Sequence, residues 1–190
     1  MENKGTVYFF TGLSGAGKTT IGSLFYQHLK KKHPNAVLED GDAMRQALAN
    51  GKDETLSPEM QKLIANIDMN AHDYTYEGRL KGARVVFQWC KELAEQGKDV
   101  VVCSICMYDA VRQWNRENIA NYREIYIKVS KDTLWKRDQK GLYSSGAKNV
   151  VGVDIPAEEP TQPDMIIYNE GDESPEEIVR RIEKKFGLDV

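Results

Sequence analysis

Apolar and polar positions along the chain alternate between two kinds of block. Short apolar runs at Thr6–Thr11, Ala36–Glu39, Val100–Ile105, Ile125–Val129 and Met165–Tyr168 are rich in β-branched and aromatic residues. That content predicts strands buried within a sheet. Between them the apolar residues recur at helical spacing. Ile21, Leu24, Phe25 and Leu29 predict a helix from about Lys18 to Lys32, with a cationic last turn and a break at His33-Pro34-Asn35. Met60, Leu63, Ile64 and Ile67 predict another, capped by Ser57-Pro58 and running to about Met69. His72-Asp73-Tyr74-Thr75-Tyr76 interrupts the pattern. A longer helix follows from about Glu77 to Gln96, with Leu80, Val85, Trp89, Cys90 and Leu93 inward and Gly97 as its stop. Tyr108 to Asn118 reads as a surface helix with one buried Trp, and Leu134-Trp135 begins a short helix. Ser174-Pro175-Glu176-Glu177 is a capping box that opens a last helix, with Ile178, Val179, Ile182 and Phe186 inward and Gly187 as its end.

Five strands alternating with helices predict an α/β fold: one domain over residues 1–190, a three-layer sandwich around a five-stranded parallel sheet. A chain of 190 residues is long enough for one substantial core. No internal repeat or low-complexity segment interrupts it.

The first strand and first helix enclose Gly12-Leu13-Ser14-Gly15-Ala16-Gly17-Lys18-Thr19-Thr20. This fits G-x-x-x-x-G-K-[ST], the P-loop, in its confirming context of strand, glycine loop and helix start. The backbone must wrap a polyphosphate with its N–H groups, so Gly12, Gly15 and Gly17 keep the loop thin and permit positive φ. The expected ATP contacts are Gly12, Ser14, Gly15, Ala16, Gly17, Lys18, Thr19 and Thr20. Lys18 supplies charge to the β- and γ-phosphates, and Thr19 offers a hydroxyl to Mg²⁺. The alternative is a glycine-rich turn with no ligand.

The second strand delivers Asp40-Gly41-Asp42 to the carboxyl edge of the sheet, where open α/β sheets bind ligands. One carboxylate can hold Mg²⁺ through water and the other can take a proton from an attacking hydroxyl. The plainer alternative is a turn followed by an Asp helix cap. Arg45 follows Asp42 by about one helical turn and can face the same cleft. Arg79 and Arg84 sit early in their helix, against the dipole preference, which hints at an anionic partner. Residues 137–148 are polar, cationic and punctuated by Gly141 and Gly146. They read as a lid over phosphates, or as a solvated loop.

Charge narrows the partners. With 26 basic and 29 acidic residues the formal net charge is -3, unlike a general nucleic-acid binder. No stretch approaches the length of an apolar membrane span. Met1 to Gly5 lead directly into a strand, so no signal peptide is expected and a cytoplasmic protein is the default. Cys90, Cys103 and Cys106 are odd in number, so disulfides are not expected. Cys103-Ser104-Ile105-Cys106 fits C-x-x-C formally but ends an apolar strand. A redox pair or a zinc site is the alternative. His28, His33 and His72 lack metal-ligand spacing and read as solvated or capping.

Several stretches resemble the adenylylsulfate kinases, P-loop kinases that phosphorylate the ribose 3′-hydroxyl of adenylyl sulfate. The residues that carry the likeness are Phe10 to Thr20, Asp40-Gly41-Asp42 with Arg45, Arg137-Asp138-Gln139-Lys140-Gly141-Leu142-Tyr143, and Lys148-Asn149 followed by Gly152-Val153-Asp154 and Pro156. The resemblance implies an ATP-dependent kinase acting with Mg²⁺ on a small nucleotide. Catalysis falls to Asp42, which activates the 3′-hydroxyl, with Lys18. Thr19 and Asp40 hold the metal, and Arg137 covers the ATP adenine. Asp40, Arg45, Arg79, Ile105 and Lys140 form the acceptor side. It implies a lid over about 137–152 and a helical insertion over about 50–72. No nucleic acid or membrane partner is implied, and a homodimer is left open.

This chain departs from the family's pattern on the acceptor side. Ser104-Ile105-Cys106-Met107 stands for the usual Phe-Ile-Ser-Pro, and Val150-Val151-Gly152 for Phe-Thr-Gly. Gly82 replaces an Asn three residues after the helix arginine. The tract Trp114-Asn115-Arg116-Glu117-Asn118 with Asn121-Tyr122 resembles a sister branch that includes a cytidine diphosphoramidate kinase. A kinase for such an acceptor is the first alternative. A nucleotide-hydrolysing switch is the second, although it needs neither Asp42 nor a cationic lid.

Overall fold

The structure, a computed structural model, describes residues 4–39, 57–65, 75–138, 141, 143–146 and 148–188. Its frame is a five-stranded sheet of β1 (Val7–Thr11), β2 (Val37–Glu39), β3 (Val100–Cys103), β4 (Tyr122–Lys128) and β5 (Met165–Tyr168), in the order β2-β3-β1-β4-β5. Every pairing is parallel, with Val7 opposite both Val100 and Tyr122. The helices are α1 (Lys18–Lys32), α2 (Pro58–Ala65), α3 (Tyr76–Glu95), α4 (Asp109–Asn118), α5 (Lys131–Arg137) and α6 (Pro175–Phe186).

Alternation along β1 divides the core. Val7 and Phe9 face α3 and α4, while Tyr8 and Phe10 face α1 and α6. Phe9 meets Phe87 edge-on at 4.9 Å, and Tyr8 meets Phe25 edge-on at 5.0 Å. All five β1 side chains are nearly or fully buried, as a central parallel strand requires. The chain leaves β1 toward β2 on one side and later crosses from β3 to β4 on the other. Ligands in such sheets bind beyond the carboxyl ends at that reversal.

The predicted α/β sandwich and its helices are present. α1 has its expected bounds, Gly97 and Gly187 take positive φ at helix ends, and Ser174 with Glu177 closes the capping box. The helix expected to reach Met69 is described over Pro58–Ala65, and Ile67 and His72 lie outside the described residues, as does most of the 50–72 insertion. β3 ends at Cys103 rather than Ile105. There the Thr11 hydroxyl donates to the Ile105 carbonyl at 2.6 Å, and the backbone turns at Cys106 with φ 23°.

Two expectations about side chains are corrected. The inward face of α4 is not a buried Trp: Trp114 is partly buried, and Val111, Arg112 and Asn115 are the buried residues. The reason is Glu124 on β4, which is 1% exposed and contacts Arg112 Nε at 3.4 Å and Arg116 Nη2 at 2.6 Å. Burial pushes the Glu124 carboxyl up, against the pull of Arg116 and Arg112. His33 caps the end of α1, as the capping alternative has it, whereas His28 is neither solvated alone nor a cap. His28 pairs with Glu183 at 3.3 Å, and His33 contacts the largely buried Asp99. The three cysteines are free thiols, Cys90 and Cys106 buried and Cys103 half-buried. No helix among the described residues is long and apolar enough to cross a membrane.

Candidate functional site

The site begins where β1 ends. Gly12, Gly15 and Gly17 take φ of 148°, 79° and 100°, the conformations expected of the loop's glycines. Gly17 has a second constraint: a Cβ there would stand 2.6 Å from Asn169 Nδ2. α1 then starts at Lys18 with no side-chain cap and no acidic residue in its first turn. Its unsatisfied N–H groups and positive field are therefore left for an anion. Thr19 and Thr20 are exposed on that turn, with Ser14 half-buried and Ala16 buried in the loop.

The carbonyls behind the loop are held from outside. Lys18 Nζ donates to the Leu13 carbonyl at 2.8 Å. Tyr143 Oη donates to Ser14 at 2.8 Å, Arg137 Nη1 to Gly15 at 3.4 Å and Asn169 Nδ2 to Ala16 at 2.8 Å. Across a trans peptide the carbonyl and the next N–H point in opposite directions. Turning the Ser14 and Ala16 carbonyls outward therefore turns the Gly15 and Gly17 N–H groups inward.

α5 positions Arg137 beside this frame. Glu170, just past β5, accepts from the Ser130 N–H at 2.6 Å and the Thr133 hydroxyl at 2.6 Å, fixing the start of α5. The Thr133 hydroxyl is the first cause holding the Glu170 carboxyl below its usual range. Arg137 ends the helix and donates through Nη2 to the Asn169 carbonyl at 2.8 Å. Arg137 and Asn169 line a cavity of about 170 Å³ with Gly15, Gly17, Pro175 and Ile178. Its apolar walls and single guanidinium suit a planar base beside the phosphate loop. Asp138 then turns the chain, accepting from the Tyr143 N–H at 2.9 Å.

The turn from Asn149 to Asp154 lies between the phosphate loop and Arg79. Asp154 accepts from the Asn149 and Val150 N–H groups, which keeps its carboxyl below the usual range. Gly152 has φ 88°, and a Cβ there would lie 2.7 Å from Leu13 Cδ2, so this turn rests on the phosphate loop. On its other side the Asn149 carbonyl accepts from Arg79 Nη2 at 2.9 Å. Ile105 is partly buried against Met107, Tyr126, Val151 and Ile155. Val150 is 7% exposed and so presents little surface to a ligand. Gly82 lies one turn beyond Arg79, with nothing within 4 Å of the position its Cβ would take.

The structure thus gathers Gly12 to Thr20 with Arg137, and brings Arg79 and Ile105 to the same edge of the sheet. Asp40, Asp42, Arg45 and Lys140 lie outside the described residues. Asn169 and Trp135 were not singled out by sequence reasoning. A polar residue immediately after the last apolar strand was the available signal for Asn169, but its partner is 153 positions away.

Comparison with known proteins adds to this geometry. The family model described as adenylylsulphate kinase matches residues 4–168. The cytidine diphosphoramidate kinase of Campylobacter jejuni subsp. jejuni serotype O:2 is 35% identical over 192 residues, covering 99% of this chain and 100% of its own. An adenylyl-sulfate kinase of Picosynechococcus sp. is 30% identical over 190 residues, covering 98% of this chain and 96% of its own. Among solved structures, the APS kinase CysC of Mycobacterium tuberculosis, in complex with AMPPNP and APS, superposes with a TM-score of 0.76 at 24% identity. It covers 97% of this chain and 98% of its own, a likeness of fold.

Proposed function

The chain belongs to the adenylylsulphate kinase family, and from that membership we propose that it moves the γ-phosphoryl group of ATP to the ribose 3′-hydroxyl of cytidine diphosphoramidate in preference to adenylyl sulfate. Phosphoryl transfer from ATP to a nucleotide is common to both readings and fits the phosphate loop. The choice of acceptor is carried by the 35% identity to a cytidine diphosphoramidate kinase along the full length of both chains. Gly82 supports it from the structure: where the family pattern places an amide beside the acceptor arginine, this chain leaves open space.

In this reading the Gly15 and Gly17 N–H groups and the start of α1 receive the ATP phosphates, and Lys18 leaves the Leu13 carbonyl to follow the γ-phosphate. The exposed Thr19, through its hydroxyl, and Asp40 would hold Mg²⁺, which when bound would neutralise phosphate charge. Arg137 covers the adenine over the cavity it lines. Arg45 and Arg79 hold the acceptor's phosphates, with Ile105 and Lys140 completing the acceptor side. Asp42 takes the proton of the 3′-hydroxyl as its oxygen attacks the γ-phosphorus, and ADP leaves.

The test is to incubate the full chain with ATP, Mg²⁺ and cytidine diphosphoramidate. The expected product carries one additional phosphate on the 3′-oxygen, by mass and by phosphorus NMR, with one ADP formed for each. ADP release without a phosphorylated acceptor would overturn the reading.

A further inference from the structure

We infer that Tyr143, buttressed by Trp135, is a positioning residue for ATP, acting through the backbone of the phosphate loop. The starting observation is an exposed indole. Trp135 is 54% exposed on α5, yet its ring lies 5.9 Å from that of Tyr143 at an interplanar angle of 40°. Tyr143 is itself 8% exposed, and its hydroxyl donates to the Ser14 carbonyl at 2.8 Å. Exposure of so large an apolar surface is not a packing requirement of α5, whose buried residue is Leu134.

The contact has a defined consequence. The chain has no cis peptide among the described residues, so the Ser14 carbonyl and Gly15 N–H oppose each other. The phenol holds that carbonyl outward and keeps the Gly15 N–H facing the phosphate site. A glycine at φ 79° would otherwise sample many conformations. Ordering it before ATP arrives lowers the entropy lost on binding. Trp135 supplies the wall that keeps the phenol aimed at Ser14. Its own position is set by α5, whose start is tied to Glu170 and whose end is tied through Arg137 to Asn169. The Trp135–Tyr143–Ser14 chain therefore runs parallel to Asn169–Ala16, and the two fix peptides on either side of the loop's middle.

The inference concerns ATP alone and is independent of the acceptor. Its test is equilibrium binding of a non-hydrolysable ATP analogue with Mg²⁺ to the full chain, with no acceptor present. Tyr143→Phe keeps the ring and removes the hydroxyl, and is expected to weaken binding about fivefold, the worth of one neutral hydrogen bond. Trp135→Ala is expected to weaken it at least twofold, and Trp135→Phe to restore it. In the Tyr143→Phe background, Trp135→Ala should add almost nothing, because Trp135 works through that hydroxyl. Under turnover the KM for ATP should rise with kcat and the KM of the acceptor within twofold of the parent. Binding by Tyr143→Phe within twofold of the parent would overturn the inference. So would a Trp135→Ala effect that persists undiminished in the Tyr143→Phe background, or failure of Trp135→Phe to restore binding. Failure of the acceptor assignment would leave all of the binding results unchanged.

Discussion

Gly82→Asn tests the proposed structural basis of acceptor choice. Position 82 lies in α3, three residues beyond Arg79, so the two share a helix face. An added Cβ meets nothing within 4 Å, and the Gly82 backbone is not left-handed, so a side chain fits without displacement. In a helix Gly is about 0.8–1 kcal/mol worse than Ala, and Asn about 0.7 kcal/mol worse. The substitution should thus leave stability unchanged or raise it by a few tenths of a kcal/mol. An amide that reads the acceptor adds about 0.5–1.5 kcal/mol of interaction, or about 2- to 13-fold in kcat/KM. The expected result is a shift of the kcat/KM ratio toward adenylyl sulfate by that factor, with the KM for ATP unchanged. Gly82→Ala, which adds the methyl alone, should raise the melting temperature and leave the ratio where it was. The assay is initial rates with each acceptor at saturating ATP and Mg²⁺, beside a thermal melt. A Gly82→Asn ratio within twofold of the parent in a folded protein would refute the argument that this open space sets acceptor preference.

Three further outcomes follow from other parts of the molecule. Asp42→Asn should lower kcat by about 10²–10⁴, the usual worth of a general base, while titration shows ATP affinity retained; collapse of ATP affinity with kcat preserved would make Asp42 a nucleotide ligand instead. Glu124→Gln removes the carboxylate from the buried Arg112 and should cost about 3–5 kcal/mol, lowering the melting temperature by about 6–20 °C in a chain of this size. Calorimetry showing a change below about 1 kcal/mol would mean that the ion pair is dispensable. The Glu170 carboxyl is held below its unfolded value, so its contribution is full above the ordinary Glu range and is lost as pH falls through the depressed folded value. Glu170→Gln should therefore flatten the fall in melting temperature between about pH 5 and pH 3, and an unchanged acid slope would contradict the Thr133 and Ser130 contacts as its cause.

Local rules made most of the fold legible. Continuous apolar runs gave all five strands, and caps such as Ser174, Gly97 and Gly187 gave helix ends within a residue or two. The phosphate loop was legible because its glycines answer a backbone demand, seen in their positive φ. The inside of α4 was not, because a buried charge pair imitates a solvated helix face until Glu124 is found opposite it. The same glutamate breaks the apolar run and hid the first three residues of β4. Phe87 lay outside the predicted stripe of α3 yet is fully buried against Phe9, because α3 is covered on more than one side. Val150, which stands where the family pattern has Phe, is buried, with its N–H held by the Asp154 turn. The carbonyl braces on the phosphate loop escaped reading because Tyr143, Arg137 and Asn169 lie more than 120 residues from their partners. Their use depends on tertiary placement, which spacing does not encode.

The most direct test of the acceptor assignment is competition in one vessel. Equal concentrations of cytidine diphosphoramidate and adenylyl sulfate are offered to the parent chain with limiting ATP and Mg²⁺, and the two 3′-phosphorylated products are counted. Their ratio is the ratio of kcat/KM values and is free of differences in enzyme activity between assays. The assignment predicts an excess of phosphorylated cytidine diphosphoramidate of at least about tenfold, the effect of roughly 1.4 kcal/mol at the acceptor. An excess of phosphorylated adenylyl sulfate would contradict it.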